Sequence, residues 1–240
     1  MGNWLERHEL LIGKKEQKKL KNSHVLICGL GGVGSYAGEF IARAGVGKMT
    51  IIDGDNFDPT NKNRQLTALD STIDQNKAVV LGERITDINP DINLTIIEEF
   101  VQPDRVWEIL KDIKPDYVMD CIDSVTPKLN WMKACIRFKI KIISSMGAGG
   151  KLDPSKVMLS NLNKTHNCNL ASTLKKMLKR EKVDGKRIKV IFSSETQLKG
   201  SLQLTDGKNF KKSFYGTASY MPALFGLYAS AEVIKHLSSK

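Results

Sequence analysis

The chain has 240 residues, 41% hydrophobic and 26% charged, enough for a full core and an ordinary balance for a globular protein. Its four cysteines (Cys28, Cys121, Cys135 and Cys168) show no CxxC pairing, so neither a disulfide framework nor a zinc site is indicated and a reducing compartment fits best. The net charge of +11 is uneven: residues 1–150 hold 20 Lys and Arg against 20 Asp and Glu, and residues 151–240 hold 17 against 6. A neutral half joined to a strongly basic one suits a polyanion, with nucleic acid first in line, the plainer alternative being a solvated basic face. The N-terminus, MGNWLERHELLIG, puts charges where a signal peptide needs apolar residues, and it lacks the Ser or Thr of a myristoylation motif.

In chain order, Trp4 to Lys21 reads as helix, with Leu5, Leu10, Leu11, Ile12 and Leu20 on a polar background. Val25 to Cys28 is a strand that stops at Gly29-Leu30-Gly31-Gly32-Val33-Gly34. Glycines at this density let backbone amides approach a phosphate, and the helix Ser35 to Ala44 aims its positive end at it. Met49 to Ile52 is the next strand. Asp53 at its carboxyl end, about 20 residues past the turn, is placed for ribose hydroxyls. The polar cluster Asp55, Asn61, Arg64, Gln65 and Lys77 has no job in a dinucleotide dehydrogenase. A nucleoside triphosphate does need such company, because its charges must be neutralised before the α-phosphate is attacked.

Asn76 to Ile88 is a helix ended by Pro90. Lys77 lies in its first turn, a poor place for a cation on dipole grounds, so an anion is expected beside it and the lysine is assigned to the phosphates. Strand Leu94 to Ile97, helix Pro103 to Lys111 and strand Tyr117 to Cys121 follow. The last strand runs into Asp120-Cys121-Ile122-Asp123-Ser124, whose acids face the same crevice as Asp53. Asp123 is the candidate Mg²⁺ ligand, with a helix N-cap as its alternative role. Helix Pro127 to Phe138 and strand Lys141 to Ser145 complete an alternation that predicts an α/β, Rossmann-like, doubly wound, mostly parallel sheet.

Met146 to Gly150 marks a boundary. Residues 1–150 are expected to form the nucleotide-binding part, and residues 151–240 a basic C-terminal part of mixed strands and helices that continues the sheet. Val157 to Ser160 and Ile188 to Ser193 read as strands around the helix Leu170 to Lys182. That helix carries Lys175, Lys176, Lys179, Arg180 and Lys182 on an outward face suited to phosphate attraction. Lys199 to Ser213 reads as a polar loop that RNA could order. Gly216 to Leu237 reads as a buried terminal helix at a dimer contact, its apolar run too short for a membrane span and interrupted by Glu232, Lys235 and His236. Cys28, Cys121 and Cys135 read as packing residues, and Cys168, in a polar stretch, as the one exposed thiol.

GLGGVGS at Gly29, IDGDNFDPTNKNRQ at Ile52 and then Lys77 together resemble the ThiF/MoeB/ubiquitin-activating-enzyme superfamily of ATP-dependent adenylyltransferases. RHELLIG at Arg7, INPDI at Ile88, DCIDS at Asp120 and SSMGAGGKLDP at Ser144 extend the likeness over nearly the whole chain. Within the superfamily the chain is most similar to the tRNA threonylcarbamoyladenosine dehydratase group. The resemblance implies adenylation of the threonylcarbamoyl carboxylate on adenosine 37 of ANN-decoding tRNA, then ring closure with net loss of water. It implies ATP held by Gly29, Gly31, Gly32, Gly34, Asp53, Asp55, Asn61 and Gln65, with charge neutralised by Arg64, Lys77 and an Arg7 that reaches across a homodimer. Mg²⁺ would sit at Asp123, and the basic half would meet tRNA in the cytoplasm. A monovalent cation at the glycine turn, a cysteine desulfurase or other sulfur-transfer partner, and membrane association of the C-terminal segment stay open. Rival readings are activation of a sulfur-carrier protein's C-terminal carboxylate, an NAD-dependent oxidoreductase, and a non-catalytic RNA scaffold. The absent zinc cysteines and the basic half count against the first, and the Asn61–Lys77 cluster against the second.

Overall fold

The computed structural model describes residues 3–204 and 213–239. In chain order the main elements are α1 (Glu6–Ile12), α2 (Lys14–Lys21), β1 (His24–Cys28), α3 (Gly34–Arg43), β2 (Lys48–Ile52), α4 (Lys77–Ile88), β3 (Asn93–Ile97), α5 (Pro103–Ile113), β4 (Tyr117–Asp120) and α6 (Val125–Phe138). They continue with β5 (Lys141–Ser145), β6 (Val157–Asn161), α7 (Asn169–Arg180), β7 (Lys189–Ser193), β8 (Leu202–Leu204), β9 (Ser213–Tyr215) and α8 (Tyr220–Ser239).

Seven strands form one sheet in the order β3-β2-β1-β4-β5-β7-β6, every neighbouring pair parallel except β6 with β7. Strand β1 is buried along its whole length, which is why it reads as an unbroken apolar run rather than an alternation. Its side chains still divide by parity. Val25 and Ile27 join a core under α2, α3, α4 and α8, whereas Leu26 and Cys28 join a second core under α5, α6 and α7. The expected doubly wound α/β architecture is therefore present, and the basic C-terminal part adds β7 and β6 to the same sheet.

Three expectations change. The N-terminal helix is two helices, broken where Gly13 takes φ 97°, a left-handed value that interrupts a helix. Strand β4 ends at Asp120, and Cys121 already belongs to the following turn. The polar loop Lys199 to Ser213 is anchored at both ends: β8 and β9 pair antiparallel, Gln203 opposite Phe214, while residues 205–212 lie outside the described residues. Among the described residues no helix is long and apolar enough to cross a membrane.

Candidate nucleotide site

A cavity of about 420 Å³ opens beyond the carboxyl ends of β1, β2, β4 and β5, where an open parallel sheet gathers its strand-end loops. The glycine turn forms one wall. Gly29 adopts φ 82°, and a Cβ on it would meet the Cys121 carbonyl carbon and the Ile122 nitrogen at 3.0 Å. A Cβ on Gly32 would meet Pro222 at 2.9 Å. Gly31 and Gly32 line the cavity, whereas Gly34 is absent from its lining. Gly34 serves the closure of the turn, because a Cβ there would fall 1.8 Å from the Gly29 carbonyl oxygen.

Asp53 braces this wall. Its Oδ2 accepts the Leu30 N–H at 2.6 Å and its Oδ1 the Asp55 N–H at 2.8 Å. Burial pushes the Asp53 carboxyl up from its ordinary value, against the opposing pull of the Lys77 ammonium and these two N–H groups. Lys77 is buried and donates to Asp55 Oδ2 at 3.0 Å. Its unfavourable place at a helix N-terminus thus has a local carboxylate to offset it, a partner that the assignment to phosphates alone did not supply. The neighbouring Asn76 caps α4, accepting from Ala78 and Val79.

Arg64 and Gln65 also line the cavity. Arg64 Nη1 donates to the Thr60 carbonyl and to Asn63 Oδ1, both at 2.8 Å. Burial lowers its pKa, opposed by Asp123 and Asp58. Gln65 is buried, and its Oε1 has no hydrogen-bond partner within the protein. Asn61, expected at the nucleotide, is instead buried away from the lining: its Oδ1 accepts the Asp58 N–H at 3.3 Å and closes a capping box. Asp123 lines the cavity; the N-cap position of α6, considered for Asp123, is held by Ser124, whose side chain makes no capping hydrogen bond. Arg7 is exposed on α1 and takes no part in the lining of its own chain's cavity.

The remaining walls carry residues that the sequence reading did not single out. Phe100 and Val101 follow β3, Trp131 comes from α6, and Thr217 and Pro222 come from the C-terminal part. Below the floor, Asp120 and Lys128 form an ion pair with Nζ–Oδ2 2.8 Å and no exposure on either side. Asp120, expected to face the crevice with Asp53, is instead fully buried outside its lining. The one sequence signal for its partner was a lone lysine among the apolar residues Leu129, Trp131 and Met132 of a helix.

The thiols are poorly suited to nucleophilic work. Burial pushes Cys121 up to about 12 and raises Cys28 and Cys135 as well. Cys168, expected to be exposed, is buried at the N-cap of α7. Among the described residues no group of three or more His, Cys, Asp and Glu could by itself hold a metal ion. A single hard carboxylate such as Asp123 still suits Mg²⁺, which is commonly held by one or two carboxylates together with substrate phosphates. On α7, Lys176, Lys179 and Arg180 are exposed, as are Lys182, Lys186 and Arg187 just beyond it. Lys175 is half-buried and donates to the Thr165 carbonyl at 2.8 Å.

The ThiF family matches residues 5–240. The tRNA threonylcarbamoyladenosine dehydratase of Bacillus subtilis is 41% identical over 192 residues, covering 80% of this chain and 75% of that protein. The Escherichia coli enzyme of the same name is 35% identical over 246 residues, covering 96% and 91%. The crystal structure of the Escherichia coli enzyme in complex with ATP superposes with a TM-score of 0.87 at 33% identity, over 98% of this chain and 93% of that one.

Proposed function

The chain belongs to the ThiF family, and from that premise we propose that it is an ATP-dependent tRNA threonylcarbamoyladenosine dehydratase. The observation that carries this reading is a likeness spanning nearly the whole of both chains to an enzyme of that activity crystallised with ATP, in a chain whose own cavity is walled by a glycine turn, Asp53, Arg64 and Lys77. Activation of a sulfur-carrier protein is not favoured, since relatives similar along most of the chain are dehydratases.

In this reading the glycine turn receives the phosphates on backbone N–H groups, and Asp53 fixes the turn while facing the ribose. Arg64 and Lys77 neutralise the charge that builds when a carboxylate oxygen of the threonylcarbamoyl group bonds to the α-phosphorus and the bond to pyrophosphate breaks. Lys77 must then exchange part of its contact with Asp55 for phosphate oxygen. Asp123 would hold Mg²⁺, which would supply further neutralisation of the triphosphate. An internal nucleophile of the same substrate next bonds to the activated carbonyl carbon as the bond to AMP breaks. No external acyl acceptor enters, in keeping with thiols that burial holds protonated. By its resemblance to the superfamily, Arg7, which is exposed and outside the lining of its own chain's cavity, acts on the partner's site in a homodimer. The basic surface of and beyond α7 receives tRNA phosphates, and the reaction is assigned to the cytoplasm on the strength of the unpaired cysteines.

ATP–pyrophosphate exchange with tRNA bearing threonylcarbamoyladenosine, followed by mass analysis of the digested nucleosides, tests the reading. Exchange that needs this tRNA, with a product lighter by one water, is expected. Exchange that needs instead a small protein ending in Gly-Gly overturns it.

A further inference from the structure

The ion pair beneath the cavity has no part in the charge chemistry above, yet it joins the elements that shape the site. Asp120 closes β4, Lys128 stands in the first turn of α6, and Ser144 lies on β5. Lys128 Nζ donates to Asp120 Oδ2 at 2.8 Å and to Ser144 Oγ at 2.9 Å, and Ser144 Oγ donates to the same carboxylate oxygen at 2.7 Å. Nζ also lies 3.4 Å from the Asp120 carbonyl oxygen. The other carboxylate oxygen, Oδ1, accepts the Ile122 N–H at 3.2 Å.

Stability alone is a poor reason for such an arrangement. Apolar residues of similar volume commonly serve a buried position as well as an ion pair does, because two desolvated charges repay little of their cost. The geometric consequence is larger. With Oδ2 of Asp120 held by Lys128 and Ser144, its Oδ1 holds the Ile122 N–H in the turn Cys121 to Ser124, every residue of which lines the cavity. That turn seats against the glycine turn, where a Cβ on Gly29 would meet its backbone at 3.0 Å. Ser144 leads directly into Ser145 and Met146, which also line the cavity. One ammonium on α6 therefore ties together the ends of β4 and β5 from which these lining segments start.

We propose that Lys128 is a positioning residue for adenylation: through Asp120 it fixes the 121–124 turn so that Asp123 meets the triphosphate end of the bound nucleotide. The inference rests on the nucleotide reading of the cavity and not on which RNA is the substrate. Removing Lys128 alone would leave Asp120 buried and unpaired and would endanger the fold. The informative variant combines Asp120→Asn with Lys128→Met, which removes both charges and keeps an acceptor for the Ile122 N–H. Ser144→Ala is a milder second variant.

The double variant is expected to melt within about 5 °C of the wild type and to bind ATP within about threefold, while kcat for pyrophosphate exchange falls about 30-fold or more. Calorimetric ATP titrations, which need no tRNA, should show the Mg²⁺ concentration for half-maximal affinity rising about fivefold. Ser144→Ala should lose about threefold or more in kcat with ATP affinity unchanged, and Lys128→Arg should restore at least about a third of the wild-type rate. A folded double variant with unchanged kcat and unchanged Mg²⁺ midpoint overturns the proposal. Should the double variant not fold, the same pair of results for Ser144→Ala does so. A wild type that binds Mg²⁺ and ATP but is inert with the modified tRNA sinks the substrate reading, and the Mg²⁺ midpoints still decide the role of Lys128.

Discussion

Gly32 and Gly34 are spaced alike in the motif but meet different neighbours, and their alanine variants should separate accordingly. An added Cβ on Gly34 falls 1.8 Å from the Gly29 carbonyl oxygen, a backbone atom that cannot yield without opening the turn. Gly34→Ala should lose measurable ATP binding and about 3 kcal/mol of stability. An added Cβ on Gly32 meets Pro222 at 2.9 Å and the Arg64 carbonyl oxygen at 3.2 Å, so the first turn of α8 must shift. Gly32→Ala should weaken ATP binding about tenfold with only a small fall in Tm, as titration calorimetry and thermal melts would reveal. His24 gives a residue-level expectation of another kind. Its Nε2 lies 2.9 Å from Thr50 Oγ1, and burial, helped by Lys48 and opposed by Asp116, lowers its pKa to about 4. The unfolded chain therefore takes up this proton at a higher pH than the folded one. The stability at stake is fully present above the unfolded value of about 6.5 and is lost progressively as pH falls towards 4. After a discount for partial solvent screening the loss is about 1–2 kcal/mol. A series of melts from pH 7.5 to 4.5 should show it, and His24→Gln should flatten the upper part of that slope.

Helix α7 turns Ala171, Leu174 and Leu178 inward and leaves Lys176, Lys179 and Arg180 outside, so its charges can change with little cost to packing. Lys176→Glu combined with Lys179→Glu should raise the KM for tRNA about tenfold or more and reduce the salt dependence of binding, while leaving ATP affinity as it is. A parallel loss of ATP affinity would mean that this face serves the nucleotide site instead. Lys175, counted with these in the sequence, already spends its ammonium on the Thr165 carbonyl and should matter less. The elements most legible in the sequence were the central strands, because burial on both faces writes an apolar run such as Val25 to Cys28 with sharp ends. The hairpin of β8 and β9 was not, since strands of three residues are too short to show a period. Legible cavity-lining residues were those just past a strand's carboxyl end, Asp53 and Asp123, because topology alone brings those ends together. Pro222, Thr217 and Trp131 reach the cavity through packing between distant elements, which spacing does not encode. Asn61 shows a second limit of spacing: in this structure it caps a turn, a role a motif asparagine fills as readily as it binds a ligand.

Whether residues 1–150 are a domain in their own right turns on α8. Met221, Phe225, Ala229, Val233 and Leu237 repeat every four residues and are all buried in the core that α2, α3 and β1 also line. At Gly226 the crossing is so close that a Cβ would stand 2.6 Å from the Val33 carbonyl oxygen, at the entrance to α3. Ser230 Oγ donates to the Ala37 carbonyl at 3.2 Å, Lys19 Nζ to the Ser238 carbonyl at 3.1 Å and Asn63 Nδ2 to the Thr217 carbonyl at 3.0 Å. Lys189 pairs with Glu232 and so ties β7 to the same helix. The glycine turn is thus gripped from the C-terminal side, and the nucleotide half has no closed core without it. Gly226→Val should push α8 from α3 and cost about 2–3 kcal/mol, together with ATP affinity. Scanning calorimetry should show a single transition in wild type and variant alike, with calorimetric and van't Hoff enthalpies in agreement. Had residues 1–150 formed an independent ATP domain, the variant would instead melt in two steps, the first sparing ATP binding. A fragment ending at residue 150 would then also fold and bind ATP. The five buried side chains of α8 argue that it will do neither, because their removal leaves the inner face of α3 in water.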